Sequence, residues 1–230
     1  MDTRCLRMVE FGPLILTLKL SLVVTVLLLF IGTPLAWWLS CTRSKLKPFI
    51  EALTALPLVL PPTVLGFYLL ILFNPTSSIG SFWINITGES LSFSFFGIVL
   101  ASVIYSLPFM VQPLQSAFEN VGFEIREAAA SLRASPLDVF IKIVAPLSKR
   151  GFLTASILTF AHTLGEFGII LMVGGNIPGR TKVMSIAIYE HVETLDYTQA
   201  HVLSGMLLVF SFCVLFLIYA FNRRHPLNVR

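Results

Sequence analysis

Residues 127–136 read EAAASLRASP, a charged, alanine-rich stretch set between two long apolar segments. The fold turns on which side of a membrane this stretch faces, because the chain around it is too apolar for a soluble core. Of 230 residues, 56% are hydrophobic and only 12% are charged, and mean hydropathy is +0.85. Soluble domains carry about 25% charged residues. So little polar sequence remains outside the apolar runs that a separate soluble domain is excluded, and residues 1–230 read as one membrane-embedded domain.

Working outward from the stretch, five segments reach the roughly 20 apolar residues that a helix needs to cross a bilayer at about 1.5 Å per residue. They lie near 13–39, 52–73, 93–117, 151–173 and 202–221. The first follows a short polar leader with no small-residue exit site, so it reads as a retained anchor and not a cleaved signal. Lys19 sits close enough to one end of it to snorkel, and Pro34, Trp37 and Trp38 mark the other end, where indoles suit a headgroup belt. Segment 183–194, at 12 residues, is too short to cross and supplies the competing six-span count.

Basic residues orient the bundle. One set of connections holds Arg43, Lys45, Lys47, Arg126, Arg133, Lys142, Lys149, Arg150, Arg223, Arg224 and Arg230; the opposite set holds Arg4, Arg7, Arg180 and Lys182. Eleven against four places the N-terminus outside and the C-terminus in the cytoplasm. The fold class is then all-α: a polytopic transmembrane helix bundle of about five spans, with residues 120–148 in a cytoplasmic loop.

Inside that loop, residues 124–132 are strong helix formers, and exposed alanines at 128–130 let another surface approach closely. Ser135 is placed to cap a second short helix, with Pro136 at its first position and Asp138 three residues after the cap. Leu137, Phe140, Ile141 and Val144 recur at helical spacing and define one apolar face. Such a face packs either beneath the protein's own spans or against another protein.

Several functions are excluded by what the sequence lacks. Cys5, Cys41 and Cys213 form neither a disulfide framework nor a metal motif. The net charge of +4 is accounted for by loop asymmetry, and no basic surface interleaved with aromatics points to nucleic acid. Neither G-x-S-x-G nor H-E-x-x-H occurs, which argues against an intramembrane hydrolase. An ion-coupled secondary transporter calls for paired repeats and a carboxylate relay, and the chain shows no convincing repeat.

The string Glu127-Ala128-Ala129, with Ile143 and Pro146 sixteen and nineteen residues after the glutamate, resembles the EAA loop of ATP-binding-cassette (ABC) importer permeases. Two positions depart from that pattern: Arg133 stands where the family has glycine, and Ala145 where it has leucine. Residues 56–66 (LPLVLPPTVLG), 162–168 (HTLGEFG) and 174–179 (GGNIPG) are similar to molybdate permeases, whose sulfate and thiosulfate relatives share a GEFG-like element. The resemblance implies a permease of the bacterial cytoplasmic (inner) membrane that imports molybdate, with tungstate as co-substrate. It implies Glu127, Ala128, Ala129, Arg133, Ser135, Pro136, Ile143 and Pro146 as the surface that engages a cytoplasmic ATPase. The further partners implied are a second copy of the chain, an extracytoplasmic binding protein and membrane lipid. No catalytic residue or metal site is expected, and with no G-x-x-x-x-G-K-[ST] in the chain, ATP and Mg²⁺ belong to the ATPase.

Two intramembrane stretches carry candidate pathway residues. Pro57, Pro61 and Pro62 remove backbone donors within one span, giving either a packing kink or a bend lining a pathway. Pro61, Pro62, Thr63 and Gly66 are its candidate residues, with Thr63 and Gly66 as wall positions. His162 and Glu166 lie four apart, and Gly165 and Gly168 flank Glu166. A hydrogen-bonded structural pair, a gating element and a metal site are the three readings, of which pairing fits best. In the outer segment, Met184, Ala187, Ile188 and Val192 share a helix side expected to lie in the interface or dip partway in. Arg180 and Lys182 before it, and Glu190, Glu193 and Asp196 after it, offer charge to a soluble partner or simply to solvent.

Overall fold

The computed structural model describes residues 11–223. Arg4, Arg7, Arg224, Arg230 and Cys5 lie outside them, and the described residues contain helices and no strand. Three helices are long and apolar enough to cross a membrane: α1 (Phe11–Cys41), α5 (Phe95–Glu119) and α12 (Tyr197–Arg223). The remaining two expected spans are each broken. α2 (Lys47–Val59) and α3 (Pro62–Phe73) meet at 109°, and α9 (Lys149–Leu164) and α10 (Gly168–Gly174) meet at 61°. Counting each bent pair as one crossing gives the expected five.

The proline expectation holds in part. Pro57 is accommodated inside α2, as Pro34, Pro108 and Pro113 are inside α1 and α5, whereas the chain turns at Leu60–Pro61. Leu60 is extended there (ψ 135°), the conformation that a following proline enforces. α5 lies at the centre of the bundle, against α1, α9, α10 and α2. The core is aliphatic and formed by the inner faces of α1, α5 and α10, including Leu20, Val24, Leu28, Ile98, Met110, Leu114, Ile169 and Ile170.

Two outer helices complete the chain. α4 (Ser78–Thr87) was not anticipated, although Ser77 caps it through Gly80 N–H and Gly88 ends it in the left-handed region (φ 75°). α11 (Met184–Glu193) does not cross, as its length required. Most of its apolar side is turned inward: Met184 and Ala187 pack with Leu203 of α12 and Met184 N–H donates to Thr17 Oγ1 of α1 at 2.8 Å, while Val192 is exposed. The basic approach to α11 is internally compensated, since Lys182 Nζ lies 2.6 Å from Glu190 Oε2. That ion pair, with an Asn176 Nδ2 bond to the same carboxylate, holds the Glu190 pKa below the usual range.

Candidate coupling loop and facing helix breaks

The loop between α5 and α9 begins with α6 (Phe123–Ser131) and ends in α7 (Pro136–Val139), a π-helical turn (Phe140–Val144) and α8 (Ala145–Leu147). α6 stops in a Schellman arrangement, with Ala134 N–H donating to Ala129 O at 3.2 Å. This motif needs a left-handed residue between them, and Arg133 takes that role at φ 60°. The backbone geometry the glycine would supply is thus kept with arginine, at a cost of about 1 kcal/mol. The expected cap follows directly. Ser135 Oγ accepts from Asp138 N–H at 3.1 Å and donates to Asp138 Oδ2 at 2.6 Å, while Lys142 Nζ lies 2.6 Å from Asp138 Oδ1. Lys142 and Ser135 together hold the Asp138 pKa below its ordinary value.

The single apolar face expected over 137–144 is divided. At the π-turn, Ala145 N–H reaches back five residues to Phe140 O. Val139 and Val144 are buried and Phe140 is half-buried, while Leu137 and Ile141 remain 67% and 57% exposed. Leu132 and Leu147 are also exposed. Part of that face therefore packs beneath the protein's own spans, and Leu137 and Ile141 are left open. Of the alanines, Ala128 is exposed, but Ala129 is buried in the core, which corrects the expectation that it offers a contact surface. Glu127, Arg133, Ser135, Pro136 and Pro146 are exposed; Ile143 is half-buried.

An aromatic cluster ties this loop to the spans. Phe140 lies 5.1 Å from Trp37 at the end of α1 and 5.6 Å from Phe118 of α5, and Phe118 lies 5.6 Å from Phe152 of α9. Edge-on and tilted ring pairs of this kind contribute about 0.5–1.5 kcal/mol each. Trp37 is accordingly a packing residue and not a belt residue, whereas Trp38 is 40% exposed. Nearby, Lys47 Nζ of α2 lies 3.2 Å from Glu119 Oε1 of α5, and Gln115 Nε2 donates to both Glu51 and Glu119.

The two helix breaks, far apart in sequence, pack against each other. A Cβ on Gly168 would lie 3.1 Å from Pro62 Cβ and 3.9 Å from Thr63 Cγ2; one on Gly66 would lie 2.8 Å from Met172 Cβ. α3 thus approaches α10 across two positions that lack side chains. Pro61, Thr63 and Gly165 are exposed at the breaks and Pro62 and Gly168 half-buried, but Gly66 is buried behind Met172. Gly66 is therefore a packing position and not a wall of a pathway.

His162 and Glu166 do not pair. α9 ends at Leu164 with Gly165 as its cap, so the helical spacing that would align the two side chains is lost. His162 Nδ1 lies 3.0 Å from Ser106 Oγ of α5, and its ring stacks on Phe109 at 3.9 Å. Glu166 is buried, its carbonyl accepts from Ser185 Oγ at 2.6 Å, and neither carboxylate oxygen has a hydrogen-bond partner. Among the described residues no group of three His, Cys, Asp or Glu side chains could hold a metal. On the outer side, Lys19 stands over the Phe95 ring at 4.6 Å, beside a cavity of about 290 Å³ that Glu89 and Arg180 also line.

The architecture is that of a multi-span helical membrane bundle carrying a capped, half-exposed loop between two of its spans. Residues 29–225 match the family of binding-protein-dependent transport system inner membrane components, and the chain belongs to that family. It is 55% identical over 214 residues to the molybdenum transport system permease protein ModB of Azotobacter vinelandii, covering 93% of this chain and 95% of that one. The putative molybdenum permease YvgM of Bacillus subtilis is 36% identical, covering 90% and 92% of the two chains. A probable sulfate permease, cysT of Marchantia polymorpha, is 33% identical over 88% of this chain and 70% of the relative. In fold, the chain is similar to an inward-facing structure of the MetNI methionine ABC transporter (TM-score 0.75, 18% identity, 97% and 99% of the chains covered).

Proposed function

We propose that this chain is the membrane permease of a molybdate ABC importer, acting as two copies around a shared pathway and accepting tungstate as well. The observation that carries the substrate is the 55% identity to a molybdenum permease over nearly the full length of both chains. The 33% relative named for sulfate makes sulfate or thiosulfate the second reading. The chain supplies no nucleotide site; ATP and Mg²⁺ are bound by a separate ATPase pair, and an extracytoplasmic binding protein delivers the anion. Membrane lipid surrounds the apolar outer faces of the spans.

Residues 120–148 act as the coupling loop. Leu132, Leu137, Ile141 and Leu147 form its exposed apolar surface, with Glu127, Ala128, Ser135 and Pro136 beside them, and this surface seats on the ATPase. When the ATPase pair closes on ATP, the two loops are drawn together. The Trp37–Phe140–Phe118–Phe152 cluster passes that displacement to the ends of α1, α5 and α9. Motion of α9 then reaches the Gly165–Phe167 break, where α10 rests on α3 and the residues exposed at the breaks, Pro61, Thr63 and Gly165, line the route of the anion. Coupling of this kind requires ATP and substrate to bias the same two-state element.

Uptake by the reconstituted complex, with molybdate, tungstate and sulfate in competition, tests the reading. Molybdate and tungstate compete within about tenfold of each other and sulfate far more weakly. Transport that prefers sulfate selects the second reading, and uptake that follows an ion gradient without the ATPase defeats both.

A further inference from the structure

Lys19 is the only charged residue of α1, and it lies in the stripe that the helix turns to the bilayer. Ile15, Lys19, Leu22 and Val26 recur at helical spacing, and all four are exposed. The apolar core of a bilayer is about 30 Å thick, the length of about 20 helical residues. The apolar run over 20–39 fills it, which leaves Lys19 at its outer edge. α5 begins at the same level, because Lys19 Nζ lies 4.6 Å from the centre of the Phe95 ring in its first turn. A third wall is the turn that follows α10, and it is tightly built. Ile177 O accepts from the N–H groups of Arg180, Thr181 and Lys182, and Thr181 Oγ1 donates to Gly174 O at 2.7 Å. Lys182 is paired with Glu190, whereas Arg180 lines the cavity of about 290 Å³ to which Lys19 and Glu89 also contribute. Among the described residues none of these last three forms an ion pair.

Two cations and one carboxylate share a cavity at headgroup level without closing on one another, and that arrangement is the complement of a zwitterion. We propose that this cavity is a binding site for an ethanolamine phospholipid of the outer leaflet. The phosphodiester lies between Lys19 and Arg180, which offer charge-assisted N–H bonds to its free oxygens, the planar Arg180 guanidinium to two at once. The primary ammonium, on its short ethylene arm, donates to Glu89. Leu16 and Phe96 form the apolar part of the wall, and Phe96 is 59% exposed, so the acyl chains leave along a surface that already faces lipid. A simple anion would leave Glu89 without a partner. A choline headgroup offers Glu89 no N–H donor, and a glycerol headgroup offers it hydroxyls but no positive charge. A lipid held here ties the outer ends of α1 and α5 to the turn after α10. The inference uses the placement of the chain in the membrane and is independent of which solute is transported.

The test is native mass spectrometry of the full chain, purified with its ATPase and stripped of lipid, then titrated with dioleoyl phosphatidylethanolamine, phosphatidylcholine or phosphatidylglycerol. The ethanolamine lipid is expected to bind several-fold more tightly than the choline lipid and to raise the unfolding temperature by a few degrees. Lys19→Gln and Arg180→Gln each weaken binding of the ethanolamine lipid several-fold. Glu89→Gln keeps the phosphate contacts, so it lowers the ethanolamine lipid to the level of the choline lipid and leaves the latter unchanged. All three side chains are exposed, and the variants are expected to unfold at the wild-type temperature when lipid-free. Equal binding of all three lipids overturns the proposal, as does an ethanolamine preference that survives Glu89→Gln. Tighter binding of phosphatidylglycerol that depends on Lys19 and Arg180 also overturns it and assigns the cavity to an anionic lipid. Molybdate added to the lipid-free complex is the last arm: binding that Arg180→Gln abolishes, without any preference among lipids, makes the cavity a port for a free anion and overturns the lipid site.

Discussion

The coupling loop and the pair of helix breaks handle polar groups in opposite ways. In the loop, the turn from α6 to α7 is capped on both sides: Ser135 and Asp138 bond reciprocally, Lys142 neutralises Asp138, and Arg133 accepts a left-handed conformation so that Ala134 can reach Ala129. Aromatic rings then bind the loop to three spans. At the breaks, α3 and α10 meet across glycines, and the buried Glu166 carboxyl makes no close hydrogen bond. A region with all its bonds made moves as one body. A region that lacks some is where helices can change their angle. Under the proposed function, this contrast would divide the work between a rigid lever at the loop and a deformable gate at the breaks.

That contrast breaks most visibly at Phe118, which is fully buried and touches Trp37, Phe140 and Phe152. Phe118→Ala is expected to lower stability by about 3–5 kcal/mol, the usual range for a large buried ring, and to uncouple ATP hydrolysis from uptake. Chemical unfolding of the purified chain, alongside substrate-stimulated ATPase activity, checks both. At the breaks, Gly66→Ala forces a Cβ to within 2.8 Å of Met172. The expected cost is about 1–3 kcal/mol, with uptake reduced and ATPase copurification unchanged. Adding Met172→Gly, which removes the clashing Cβ, is expected to restore uptake in part; a double variant no better than Gly66→Ala contradicts the packing of α3 on α10.

Arg133→Gly removes left-handed strain from the loop. Glycine also loses more conformational entropy on folding, so the net gain is small, about 0.5–1 kcal/mol in the thermal stability of the complex, with docking intact. The smallest effect lies at α11. Glu190 is half-exposed, and Lys182 and Asn176 hold its pKa below its unfolded value. The stabilisation from that ion pair is therefore present above about pH 4.3, the ordinary glutamate value, and is lost as pH falls through the lower folded value. Lys182→Met is expected to flatten this acid-side slope, measured as unfolding temperature against pH.

What the sequence made legible follows from local rules. The spans were readable from apolar run length, and the loop's second helix from Ser135, Pro136 and Asp138, whose bonds involve only their near neighbours. α4 is encoded just as locally, by Ser77 and Gly88, although no bilayer-length apolar run marks it. The remainder depended on tertiary structure. Three prolines near residue 60 announced a break without placing it, because Pro57 finds room inside α2 while the turn falls at Leu60–Pro61. The π-turn redistributed Leu137, Phe140, Ile141 and Val144 over two faces, which no regular helical period anticipates. Pairing of His162 with Glu166 assumed a continuous helix, and Gly165 was the residue that argued against it. The approach of Gly66 to Met172 joins positions more than a hundred residues apart, and no local pattern encodes it.

The central claim is that the exposed apolar half of the loop seats on the ATPase while the buried half transmits the motion. Its most direct measurement is ATPase copurification with the double variant Leu137→Glu, Ile141→Glu, both side chains being exposed and outside the core. The expected result is at least a tenfold loss of bound ATPase, with the permease's unfolding temperature unchanged. ATPase retained at wild-type levels on a folded double variant would contradict the account.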